Sequence, residues 1–241
     1  MDNMENEMDN TDINIRQFSC NEFSEHCYLV WDADGNAVLV DPGFKGPEEL
    51  DELYGFIGRQ GLKPAAILLT HAHFDHIYGV KDCVDKYSAT VYMHPDDSVV
   101  KEHAAQMART CFMPAPDTSW TTTGIKDGEI LTFGRLEFKV IETPGHSPGS
   151  VSYFAEKDRL LFSGDCLFAG SIGRTDLEWG DYDKEIVSIM DKIMGLDGDV
   201  KVYPGHGGST TIADERTGNP FLQPFNWKDP ETGYVDGIEF R

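Results

Sequence analysis

Basic residues are scarce in this 241-residue chain: 20 Lys and Arg stand against 42 Asp and Glu, for a formal net charge of −22. Such a surface repels phosphate backbones, so no nucleic-acid partner is expected. Long apolar runs are also missing. None approaches the roughly 18 to 20 residues of a membrane span, which disfavours a membrane partner. Cysteines are few and odd in number, and no two of Cys20, Cys27, Cys83, Cys111 and Cys166 have the spacing of a metal knuckle. They read as reduced, mostly buried thiols. With no apolar block at the start, this predicts a cytoplasmic protein. There is no Pro/Ser-rich divider and no short tandem repeat. An acidic, disordered tail is expected over residues 1–13 and a single domain over 14–241.

Hydrophobic residues make up 40%, enough for a packed core. HCYLVWD (26–32) and AVLVD (37–41) flank ADGN and predict a hairpin. GPEELDELYGFIGRQG has Pro47 near its start, early acids and Gly61 at its end, the marks of a helix. AAILLT is a short buried strand that runs directly into His71. A helix is expected over about 79–87, then a strand, ATVYMH, and a helix opening at Pro95. Residues 110–124 form an irregular loop, a candidate lid or pocket wall. The second half repeats the plan with hairpins in EILTFGRLEFKVIET and SVSYFAEKDRLLFSGD, a helix in DYDKEIVSIMDKIMG and a last strand in VKVYPGHGG. Two similar β-rich halves, packed sheet to sheet with helices outside, follow from this order.

The costliest chemistry is concentrated in THAHFDHIYG (70–79), where His71, His73, Asp75 and His76 fall within six consecutive positions. Two histidines at i and i+2 on a turn can reach one metal, while Asp75 and His76 project differently and can serve a second. A crowded polar loop is the alternative. The spacing is not the helical H-E-x-x-H of a zincin. Three further loops follow apolar strands: ETPGHSPGS with His146, FSGDCLFAGSIGRTD with Asp165, and VYPGHGGST with His206. Each is weak alone, but four such loops on one edge of a sandwich converge. His26, His94 and His103 read as structural, and Tyr203 as a possible pocket wall. Cys166, next to Asp165, should point to the opposite side, into the core.

THAHFDH, PGHSPGS, SGDCLF and YPGHGG, in this order, resemble the metallo-β-lactamase superfamily, and within it the short, single-domain glyoxalase II-like (hydroxyacylglutathione hydrolase-like) branch. The resemblance spans roughly residues 14–225 and implies an α+β, four-layer αββα sandwich with two divalent metals. It assigns His71, His73 and His146 to one metal and Asp75, His76 and His206 to the other, with Asp165 bridging. Asp41, in VLVDPG, would support the metal loops without ligating. Imidazole and carboxylate donors without thiolate suit zinc first, with iron or manganese as alternatives. A hydroxide shared by two metals would attack an acyl carbon, with Asp75 and Asp165 as the catalytic carboxylates.

The implied reaction is hydrolysis of a thioester or ester, an acyl-glutathione-like small molecule. Arg174 in GSIGRTD fills the place of a substrate-binding basic residue; a salt bridge to Asp176 is the competing reading. Arg216 and Asn219 are expected to anchor the tail segment. The chain departs from glyoxalase II itself, because only about 35 residues follow His206, too few for that family's glutathione-gripping helical domain. Flavodiiron proteins carry a glutamate where His73 stands. Persulfide dioxygenases of the superfamily, mononuclear iron enzymes, share GRTD and an ERT-NP segment and form the alternative. Exported antibiotic hydrolases are disfavoured by the missing signal. The sequence leaves the oligomeric state open.

Overall fold

The computed structural model of the chain describes residues 13–223. The expected acidic tail lies outside the described residues except for Ile13, which already begins a strand. Strands β1 (Ile13–Cys20), β2 (Glu25–Asp32) and β3 (Asn36–Val40) pair antiparallel. Helix α1 (Pro47–Gln60) then carries the chain back to β4 (Lys63–Leu68), which pairs parallel with β3. Gly61 ends α1 at φ 67°, a left-handed position that glycine adopts without a Cβ penalty. The short α2 (Phe74–Ile77) and α3 (Val80–Tyr87) lead to β5 (Thr90–Met93). A 3-10 turn at Pro95–Asp97 opens α4 (Ser98–Thr110), and β6 (Thr122–Gly124) completes a six-stranded sheet in the order β1-β2-β3-β4-β5-β6.

The second sheet repeats the arrangement. β7 (Ile130–Phe133), β8 (Leu136–Glu142), β9 (Val151–Ala155) and β10 (Leu160–Gly164) run antiparallel. A small ribbon of β11 (Leu167–Phe168) and β12 (Ser171–Ile172) follows, then α5 (Tyr182–Ser188) with a π-helical continuation at Ile189–Ile193. β13 (Lys201–Pro204) returns parallel to β10, β14 (Thr210–Thr211) pairs with β13, and α6 (Ile212–Gly218) is the last helix of the described residues. In each half an antiparallel hairpin series is followed by a helix and a parallel strand, which is the expected pseudo-symmetry.

Burial explains why the strands read as continuous apolar runs. Successive strand residues face opposite sides, and here both sides are covered. In β2, Tyr28 and Val30 join Phe138, Val140, Tyr153 and Phe162 between the sheets. Cys27 and Leu29 face the other way, against Leu53 and Ile57 of α1 and Val80 and Cys83 of α3. The second sheet does the same with Leu161 and Val202 against Ile186, Ile189 and Ile193. Three apolar layers therefore separate four layers of structure, the αββα sandwich that the motifs imply.

Sequence reading left out β1, the short α2, the β11–β12 ribbon, β14, α6 and β6, which ends the 110–124 segment read as an irregular loop. β1 is an edge strand whose alternation is broken at Gln17, and the other elements are too short for a periodic signal. The 110–124 segment is pinned rather than free. Trp120 is buried, Met113 packs on the same core, and Tyr78 Oη donates to Pro114 O at 2.8 Å. Only its first residues, with Thr110 and Cys111, reach the cavity described below.

Candidate metal centre

The two sheets are stitched together at one end, and the stitches sit next to the predicted loops. Val151 N donates to Thr70 O and His26 N to Gly205 O, both at 2.8 Å. Tyr153 Oη donates to Leu69 O at 2.8 Å, and Tyr28 Oη to Pro204 O at 2.6 Å. The residues before His71 and His206 are thus each held by the opposite sheet. Buried hydroxyls are paired this way because an unpaired one is costly.

All seven predicted side chains meet at this edge. His71, His73, His76 and His146 are almost fully buried, with ring centroids 4.1 Å apart for His71–His76, 4.5 Å for His73–His146 and 4.7 Å for His71–His73. Asp165 touches both sets: Oδ1 lies 3.3 Å from His76 Nε2, and Oδ2 lies 3.6 Å from both His146 Nε2 and His206 Nε2. Asp75 Oδ2 is 3.5 Å from His206 Nε2. Potential ligand atoms of His71, His73 and His146 fall within 4.8 Å of one another, as do those of Asp75, His76 and His206.

The surroundings fix which nitrogen each ring presents. A carbonyl only accepts, so Nδ1 of His146, 2.7 Å from Arg174 O, carries the proton; so does Nδ1 of His206, 3.1 Å from Phe23 O. Asp41 Oδ2 accepts from Thr70 Oγ1 at 2.5 Å and lies 3.1 Å from His76 Nδ1. Thr70 Oγ1, its proton spent on Asp41, accepts from His71 Nδ1 at 3.0 Å. The Nε2 atoms of His71, His76, His146 and His206 are left facing the cluster, and His73 adds Nδ1, 2.8 Å from His146 Nε2. Nε2 of His71, His73 and His76 and Oδ1 of Asp165 are buried with no hydrogen-bond partner among the described residues. Buried imidazole nitrogens and a carboxylate oxygen left without hydrogen-bond partners at one point make a donor set that fits cations.

Charge separates the two sets. Burial, then the neighbouring imidazoles, pushes the His71 pKa well below the usual histidine range, and the same causes bring His73 to about 3. These rings are neutral and ready to ligate. Burial also opposes charge on His76, but Asp165 and Asp75 raise it well above the usual range. Burial works against ionised Asp165, yet His76, His206 and His146 hold its pKa well below the carboxylate range.

Asp41 sits where expected, with φ 47°, a left-handed position that aspartate tolerates better than most residues. Its Oδ1 also accepts from Thr70 N at 2.7 Å. Arg174 lines the cavity beside the centre, but its guanidinium is bound in bidentate fashion to Asp176, Nε–Oδ1 2.7 Å and Nη2–Oδ2 2.9 Å. Cys166 faces the apolar layer under α5. Tyr203 is corrected: it stacks on Phe162 between the sheets, 5.5 Å centroid to centroid, and does not line the cavity. His94 pairs with Glu142 and His103 caps back onto Val99 O, structural roles as read. Arg216 donates to Met194 O and Leu196 O, and Asn219 to Ser171 O.

Three buried acids escaped sequence reading. Asp97 accepts from Ala72 N (2.5 Å), Ser147 Oγ (2.6 Å) and Gly149 N (2.9 Å), joining the first and second histidine loops. Glu185 accepts from His146 N at 2.8 Å. Glu25 lies 3.7 Å from His76 Nδ1. Asp97 and Glu185 looked like ordinary acids near helix starts, and only the tertiary fold turns them inward.

A buried imidazole–carboxylate cluster at the loop edge of two packed sheets places this chain among the αββα metalloproteins. More narrowly, it belongs to the metallo-β-lactamase superfamily, whose family model matches residues 20–206. It is 33% identical over 215 residues to hydroxyacylglutathione hydrolase GloC of Haemophilus influenzae, covering 87% of this chain and 98% of that protein. The crystal structure of the BLEG-1 B3 metallo-β-lactamase matches with a TM-score of 0.77 and 39% identity, over 87% of this chain and 99% of that one. TTHA1623, solved in a di-iron-bound form, matches with a TM-score of 0.78 and 37% identity, over 86% and 100%. Membership and these likenesses support a metal-binding hydrolase. No helix among the described residues is long and apolar enough to cross a membrane.

Proposed function

We propose that the chain is a cytoplasmic, binuclear metal-dependent hydrolase of thioesters or esters, with zinc as the first-choice metal and iron or manganese as alternatives. The observation that carries this is the convergence of five imidazoles and two carboxylates, those of Asp75 and Asp165, at one buried point. His71, His73 and His146 would hold one ion and Asp75, His76 and His206 the other, with Asp165 between them. The ions, when bound, supply Lewis acidity that polarises the acyl carbonyl and lowers the pKa of water. Asp41 and Thr70 keep His71 and His76 in their ligating tautomers. Asp75 and Asp165 line the cavity as ionised acceptors and orient the attacking water. Arg174 stands at the cavity edge as a substrate-side cation. In the net reaction an acyl C–O bond forms, the C–S or C–O bond to the leaving group breaks, and the leaving thiolate or alkoxide takes a proton from water.

Two other readings have an observation behind them: β-lactam hydrolysis, from the 39% identity to BLEG-1, and persulfide oxidation, from the GRTD and ERT-NP segments. One experiment separates the three. Metal content is measured on the purified protein, followed by acyl-thioester hydrolysis, β-lactam hydrolysis and persulfide-dependent oxygen uptake. Two metals per chain with thioester turnover is the expected result. One iron with oxygen uptake, or turnover of β-lactams alone, overturns it.

A further inference from the structure

The cavity over the metal centre has a volume of about 530 Å³, and its walls come from six different places in the fold. Phe23, in the β1–β2 turn, meets Phe74 of α2 edge to face at 5.2 Å. Met107 of α4, Phe168 and Ile172 of the β11–β12 ribbon, and Leu177 after it close the other sides. Charge is sparse once the metal-site groups are set aside. Arg174 is the one lysine or arginine among the described residues lining the cavity, and Asp176 already holds it in bidentate fashion. Glu178 also lines it. The edge therefore carries two acids against one cation, on a chain of net charge −22.

We infer that this cavity takes an uncharged, apolar chain, and that a glutathione conjugate is not its preferred ligand. Resting on the hydrolase reading, that chain is the acyl group of the substrate, aliphatic or aromatic, on a neutral leaving group. Glutathione carries two carboxylates and one ammonium, so seating it here requires either desolvating a carboxylate without a free cation or displacing Asp176 from Arg174. An apolar chain needs neither, and it releases water from six apolar side chains.

The test uses the metal-loaded protein and two series of N-acetylcysteamine derivatives. Thioesters from acetyl to hexanoyl report turnover. The matching S-alkyl thioethers, which cannot be hydrolysed, report binding by calorimetry. Both kcat/KM and affinity should rise up to about fourfold per added methylene, and hexanoyl should exceed lactoylglutathione in kcat/KM. Leu177→Asp and, independently, Met107→Gln should flatten both slopes. A flat wild-type slope, or lactoylglutathione ahead of hexanoyl, overturns the inference while leaving a hydrolase. A thioether slope without any thioester turnover supports the cavity assignment and overturns the hydrolase reading instead.

Discussion

Strand β2 carries a buried acid at each end, and the two live in opposite circumstances. Asp32, 1% exposed, accepts four hydrogen bonds, from Asp34 N, Asn36 N, Asn36 Nδ2 and Arg135 N. Glu25, fully buried at the metal end, has no hydrogen-bond partner for either oxygen among the described residues. The chain even leaves room for it, since a Cβ on Gly43 would collide with its carboxylate. Burial drives the Glu25 pKa well above the usual range. At Asp32 burial acts the same way, but the Asn36 side chain and three backbone donors outweigh it and bring the pKa down. One end of the sandwich is built for stability. The other keeps buried polar groups unpaired, an arrangement proteins tolerate where a site needs it.

The contrast breaks most visibly at Asp165, the carboxylate that touches both histidine sets. Asp165→Ala should lower thioester turnover by at least about a thousandfold, as several kcal/mol of metal-borne stabilisation is lost. Metal analysis should show less than one ion per chain. A fall in melting temperature without loss of metal would place Asp165 in the stable end's category. Asp41→Asn comes next. It disturbs the orientation of Thr70 and His76 without removing a ligand, so metal affinity or activity should fall about 10- to 100-fold. Unchanged titration of both ions would show that Asp41 only holds its own turn.

Much of the candidate metal end was legible in the sequence because the proposed ligands follow strands. A short apolar run ending in a histidine or aspartate fixes both where the side chain lies and which edge it faces. His71, Asp165 and His206 were readable for that reason, as was the four-layer order from the alternation of hairpins and helices. Glu25, Asp97 and Glu185 were not, since an acid's partner in another loop leaves no trace in spacing. Arg174 shows the limit from the other side: a place beside the substrate and a salt bridge to Asp176 read as rivals in the sequence, whereas in the fold the side chain lines the cavity and is bound to Asp176 at once.

Glu25 offers the next sharpest comparison. Glu25→Leu exchanges a buried, unpartnered carboxyl for apolar volume, and the metal-free protein should gain about 2 kcal/mol. For a chain of this size that is roughly 4–8 °C in melting temperature. Destabilisation would show that the carboxyl is satisfied in solution and that the two ends of β2 are alike.

Asp32→Asn gives the smallest effect and the opposite sign. The amide keeps one acceptor oxygen but turns an NH₂ toward donors that a carboxylate oxygen had accepted, which should cost about 1 kcal/mol at neutral pH. The folded pKa of Asp32 lies below its unfolded value near 3.9. Its ionised form therefore adds stability that is complete above that value and is lost as the pH falls through the folded pKa. The gap in unfolding free energy between parent and variant should be constant from about pH 5 to 8 and close on acidification below about pH 4. Denaturant melts of both proteins across that range measure it. Turnover should not change, because the side chain stands at the end of β2 away from the proposed metal site. A gap that persisted in acid would mean that Asp32 acts through shape rather than charge.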